Sequence, residues 1–181
     1  MGRRAASPAR SSAGFTLLEL GVVLAVIALL AGLLLPRLGL LTSAELDAST
    51  RRLATRLRYL REDAARRGTW IRVVFDPAEP GYEAQVLVQT TSGPRFEPDP
   101  DPLYRHVALP SSLDLEVTGP GLLRTGEGRP AAILHPDGFA DPVVVHLGDG
   151  AGREASIVVE PISPRPLVFD RRIDLSGALR P

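Results

Sequence analysis

GFTLLELGVVLAVIALLAGLLLPRL, residues 14–38, carries a single carboxylate, Glu19, within a run that is otherwise apolar. From Phe15 to Leu35 only Thr16 and Glu19 are polar. At about 1.5 Å per residue such a run makes roughly 31 Å of helix, close to the hydrocarbon thickness of a bilayer. Arg3, Arg4 and Arg10 precede it with no acid among them. Positive charge stays on the cytoplasmic side, so the flank predicts a cytoplasmic N-terminus with the remainder sent across. A secretory signal has a shorter apolar region, about 7 to 15 residues, followed by a small-x-small cleavage site. This run is longer and ends LLLPRL.

Downstream, Gly32 and Pro36 interrupt the apolar pattern. Proline lacks a backbone donor and clashes with the preceding turn, which predicts a helix break or kink at Pro36. Thr42 to Glu45 reads as a capping box opening a second helix. In that helix Leu46, Leu53, Leu57, Leu60 and Ala64 recur at helical spacing, with Arg51, Arg52, Arg56, Arg58 and Arg61 between them. Arg66 and Arg67 suit a helix C-terminus, and Gly68 suits the left-handed residue beyond it.

After Gly68 the period shortens to two. TWIRVVFDP (69–77) reads as a strand, PAEPGY as a turn, and EAQVLVQT (83–90) as the hairpin partner. Further strands are expected at 103–109, 113–117, 131–134, 143–147, 156–160 and 167–169, several separated by turns such as HPDG (135–138) and GDGAG (148–152). TSGPRFEPDPDP (91–102), rich in proline and glycine, reads as an exposed loop. One helix followed by many short strands predicts an α+β fold, with the helix packed on antiparallel sheet.

Composition narrows the chemistry. The chain has 181 residues, enough for one ordinary domain plus a terminal appendage. Its 21 basic residues, all arginine, balance 21 acidic ones, so the totals give no footprint of a nucleic-acid binder. On the amphipathic helix the arginines share their faces with Glu45, Asp47, Glu62 and Asp63, a pattern of solvated surface rather than a nucleic-acid patch. The absence of cysteine rules out disulfides, a thiol nucleophile and a thiolate metal site. His106, His135 and His146 lack metal-ligand spacing, and no nucleophile elbow or phosphate loop is present. Asp99, Asp101, Asp137 and Asp149 offer hard oxygen ligands for calcium, but no EF-hand loop exists and loop aspartates commonly form turns. No catalytic, metal or cofactor residue is therefore expected, although distant loops of a membrane-anchored periplasmic enzyme could still converge.

GFTLLEL followed by an apolar helix resembles the class III signal of type IV prepilins and pseudopilins. The later segments LATRLRYLREDAARRGTWIRVVFDP (53–77) and ILHPDGFADPVVVHLGDG (133–150) resemble the GspH/FimT group. The resemblance implies that a membrane-embedded aspartic peptidase cuts between Gly14 and Phe15 and N-methylates Phe15. It divides the chain into a cytoplasmic leader (1–14), a transmembrane and assembly helix (15–36), an amphipathic helix (37–68) and a periplasmic β-rich domain (69–181). Glu19, the fifth residue of the mature chain, would pair with the Phe15 amine of a neighbouring subunit during assembly. A carboxylate at the bilayer centre costs about 2.5 to 3.5 kcal/mol and less near the edge, where it can snorkel.

The implied function is that of minor pseudopilin H, a structural subunit of the periplasmic pseudopilus of a type II secretion system that assists export of folded proteins. Its partners would be other pseudopilins or minor pilins, the prepilin peptidase, the inner-membrane assembly platform and, before assembly, membrane lipid. The chain would be stored in the bacterial inner membrane as a single-pass protein before entering the pseudopilus. The FimT branch, minor type IV pilins in pilus assembly or DNA uptake, is the alternative. Some FimT-type proteins bind DNA through a basic C-terminal motif, whereas here Arg171 and Arg172 are flanked by Asp170 and Asp174.

Overall fold

Residues recurring every three or four positions share one face of a helix, and Leu46, Leu53, Leu57, Leu60 and Ala64 are buried along one face of α1 (Leu17–Arg67). The computed structural model describes residues 17–174, without the side chains of 31–42. The chain divides after Leu38 into two units, the second being Gly39–Pro181.

α1 continues as helical backbone through Gly32, Pro36 and Thr42, so the expected break at Pro36 is not an interruption of helical backbone. Thr42 to Glu45 correspondingly lies inside α1 and caps no helix start. Glu45 instead accepts a hydrogen bond from the Ser112 hydroxyl at 2.7 Å. The C-terminus ends as its sequence predicts: Gly68 takes a left-handed φ of 62°, and Thr69 N–H bonds back to the Ala64 carbonyl at 3.1 Å.

Among the described residues of the second unit ten strands follow, all paired antiparallel. They are β1 (Ile71–Asp76), β2 (Gly81–Thr90), β3 (Gly93–Pro98), β4 (Val107–Ala108), β5 (Asp114–Thr118), β6 (Leu123–Arg124), β7 (Pro130–Leu134), β8 (Val143–Gly148), β9 (Glu154–Val159) and β10 (Leu167–Phe169). They form two sheets rather than one. The first runs β3-β2-β1-β7-β6 with β4 added to β2, and the second runs β10-β9-β8-β5.

Alternation along the strands builds one core. Ile71, Val73 and Phe75 of β1, Tyr82, Ala84 and Val86 of β2, and Val143, Val145 and Leu147 of β8 join the α1 leucines in a single buried cluster. The β1–β2 hairpin appears as expected, pairing Ile71 with Val86, and the Asp76 carboxylate accepts from the Ala78 and Glu79 amides in its turn.

Two expectations need correction. The proline-rich stretch 91–102 contains strand β3, which pairs Phe96 with Leu87. It lies at the sheet edge, where Pro94 and Pro98 are tolerated because one side of the strand needs no ladder partner. Residues 103–109 contain only the two-residue β4, because Tyr104 turns inward and is buried while its carbonyl accepts from the Ala84 amide.

Candidate functional site

The N-terminal part of α1 presents apolar side chains on every side. Between Leu17 and Leu30 the leucines, valines and isoleucines are 45 to 90% exposed. A helix apolar all round needs lipid or other helices about it, since water leaves that surface unburied. Glu19 is exposed in the first turn of this segment. Gly14 and Phe15, the expected cleavage and methylation positions, lie outside the described residues, as does the Pro36 side chain. Among the described residues no helix is long and apolar enough to cross a membrane, and the expected span 15–36 begins before them and ends among residues whose side chains are not described.

Within the second unit, Arg61 leaves α1 on the core side and is only 5% exposed. Its Nε donates to the Gly138 carbonyl at 2.6 Å and its Nη1 to the Glu160 carbonyl at 2.9 Å. The same guanidinium donates to the carbonyls of Pro161 and Ser163. Four of its five N–H groups thus bind backbone oxygens, and burial pushes the guanidinium below its ordinary pKa while Asp137 opposes the shift. Arginine at this place reads in sequence as solvated charge. Its spacing from Leu53, Leu57 and Ala64 is the signal that it shares the buried face.

Arg56, Arg58, Arg66 and Arg67 of α1 are also engaged within the chain. Arg56 donates to the Pro102 and Arg105 carbonyls, Arg58 lies 3.5 Å from Glu62, and Arg66 bonds Asp63. Arg67 pairs with Asp99 at 2.9 Å, while the Tyr104 hydroxyl donates to the buried Asp63 carboxylate. Near the C-terminus Arg172 pairs with Glu116 at 2.8 Å and Glu154 at 3.7 Å. These pairings neutralise much of the charge that a nucleic-acid surface would require.

The three histidines stand in separate surroundings. His135 pairs with Asp141 at 3.1 Å and stacks, tilted, on Trp70 with ring centroids 4.4 Å apart. His146 is buried between Thr118 and Ser156. Among the described residues no group of three metal-binding side chains comes together. The loop aspartates form turns: Asp99, Asp101 and Asp137 each accept the amide two residues on, and Asp149 accepts those of Ala151 and Arg153. An open groove of about 400 Å³, lined by Trp70, Leu87, Phe96, Leu123, Ile133 and His135, crosses the outer face of the first sheet and was not foreseen from the sequence.

Residues 49–162 match the family model described as Type II transport protein GspH. The chain belongs to the GspH family. The matched span takes in the amphipathic part of α1 and strands β1 to β9, the region of the core and of the Arg61 cradle. Two structures of the minor pseudopilin EpsH from the type II secretion system of Vibrio cholerae are similar to this GspH-family chain. One aligns at TM-score 0.51 and 16% identity over 70% of this chain and 97% of that one. The other aligns at TM-score 0.55 and 17% identity over 72% and 97%. At such identities the likeness establishes a shared fold, which is α+β and pilin-like. No curated protein sequence matches the chain.

Proposed function

We propose that this GspH-family chain is a minor pseudopilin, a non-enzymatic subunit of the periplasmic pseudopilus that assists a type II secretion system in exporting folded proteins. The observation that carries the reading is the match over residues 49–162, placed downstream of an α1 segment whose apolar side chains are exposed all round. The chain is inserted with its N-terminus in the cytoplasm and cut between Gly14 and Phe15 by the prepilin peptidase, which methylates Phe15. It waits in the inner membrane, where lipid covers the apolar helix, until the assembly platform passes it into the fibre and neighbouring pseudopilin helices replace the lipid. Glu19 then meets the Phe15 ammonium group of an adjacent subunit, a charge pair favoured by the low dielectric of its surroundings.

Deletion of the gene tests the reading in the native bacterium. Exoproteins should accumulate folded in the periplasm while DNA uptake and surface pili persist. Normal secretion accompanied by loss of pili or DNA uptake would assign the chain to the FimT-type branch instead.

A further inference from the structure

The outer face of the second sheet carries a polar site that the assembly reading does not use. Along β5, β8 and β9 the core residues Val117, Val145 and Ile157 alternate with Glu116, Thr118, His146, Glu154 and Ser156, which face away from the core. The segment Asp170–Asp174, beyond β10, is fastened to this face. The Ser156 hydroxyl donates to the Arg171 carbonyl at 2.8 Å and accepts from the Ile173 amide at 3.0 Å.

That hydroxyl has one hydrogen, already given to Arg171. The His146 Nδ1, 3.0 Å from the same oxygen, must therefore be its donor. Nε2 of the neutral ring is then left to accept from the Thr118 hydroxyl at 3.2 Å. His146 thus completes, through an Nδ1–H present in either charge state, the hydrogen bonding of the serine that holds the segment down, and its sensitivity to acid lies at Nε2.

A proton added to Nε2 obliges Thr118 to reverse its hydroxyl and puts charge on a residue 3% exposed. The charges facing the ring are Glu116 from β5, Glu154 from β9, and Arg172 and Asp174 from the segment itself. Arg172 already bridges Glu116 and Glu154. An imidazolium would compete with it for those two carboxylates. Lifting the segment removes Arg172, admits water to the ring and leaves both acids to His146, while Asp174 departs with the segment. Burial first, and Arg172 second, hold His146 below its ordinary 6.5 in the closed state, so opening raises its proton affinity and acid favours opening.

We propose that residues Asp170–Asp174 form an acid-released strap, held closed by Ser156 and by Arg172 across Glu116 and Glu154 for as long as His146 is neutral.

Hydrogen exchange of the full chain in detergent, corrected for intrinsic rates and read at about pH 7.5 and about pH 5, tests this. Strap peptides covering 170–174 should lose protection by up to about tenfold for each pH unit below 6.5, while β1 peptides stay protected. His146→Gln should abolish the pH response of the strap. Should that variant fold poorly, nuclear magnetic resonance of the His146 ring in the unmodified chain provides the check, since its titration midpoint must coincide with strap release. A strap insensitive to pH, a β1 that loses protection in step with it, an unchanged response in folded His146→Gln, or separated midpoints would each overturn the proposal.

Discussion

The Nε of Arg61 donates to the carbonyl oxygen of Gly138 at 2.6 Å, tying α1 to the HPDG turn 77 residues further along the chain. The remaining guanidinium bonds, to Glu160, Pro161 and Ser163, bring the loop after β9 to the same place on the helix. One side chain on the core face of α1 therefore fastens a segment beyond each of β7 and β9, strands that belong to different sheets. Planar, five-donor geometry suits this task, because a fork of fixed N–H directions can meet several carbonyls at once.

Replacing Arg61 with methionine keeps much of the aliphatic packing and strands the carbonyls of Gly138, Glu160 and Ser163, whereas that of Pro161 keeps the Ala140 amide. The expected loss is about 2 to 4 kcal/mol, with lysine in between because it offers fewer and less oriented donors. Urea unfolding of the full chain in detergent measures it. A loss under about 0.5 kcal/mol would mean the cradle is structurally idle.

Tyr104 and Asp63 form the second tie between α1 and the loops, and they make it sensitive to acid. Burial pushes the Asp63 carboxyl upward, but the Tyr104 and Arg66 hydrogen bonds and the Arg66 and Arg67 charges outweigh it, so its pKa lies below the ordinary 3.8. The stabilisation is therefore complete above 3.8 and is lost as pH falls through the lower folded value. Tyr104→Phe should cost about 1 to 2 kcal/mol at neutral pH by leaving the carboxylate one donor short. The gap between variant and parent should narrow as pH is taken below 3.8, and urea midpoints across that range measure it. A gap independent of pH would detach Asp63 from the effect.

Much of the second unit was legible in the sequence because its signals are local. Leucine spacing marks the buried face of α1, Gly68 marks its end, and period-two alternation marks β1 and β2. The division into two sheets was not legible, because it depends on pairings such as Ile71 with Leu134 that join segments far apart in the chain. Strand β3 was hidden by composition: prolines that forbid a central strand are compatible with an edge, and only the sheet order tells the two apart. Arg61 was misread for a related reason, since its charge argues for solvent while its spacing argues for the core. The assembly proposal rests on the N-terminal motif, of which Glu19 falls among the described residues and Gly14 and Phe15 do not.

The role proposed for Glu19 separates processing from assembly. Glu19→Ala should still be cut and methylated yet enter the fibre at a small fraction of the parental level, because the charge that selects a neighbouring amine is gone. Glu19→Asp should recover part of the incorporation. Quantification of the mature chain in sheared fibre fractions against the membrane pool reads the outcome, and parental incorporation of Glu19→Ala would remove the residue from the assembly mechanism.

The most direct measurement of the central reading is the intact mass and N-terminal sequence of the protein extracted from membranes of cells with and without their prepilin peptidase. The account predicts a chain beginning at N-methylated Phe15 only when the peptidase is present, and a chain that still carries the residues before Phe15 otherwise. A chain left uncut in both strains, or one cut after Leu35, would contradict it and place the protein among ordinary anchored or secreted proteins.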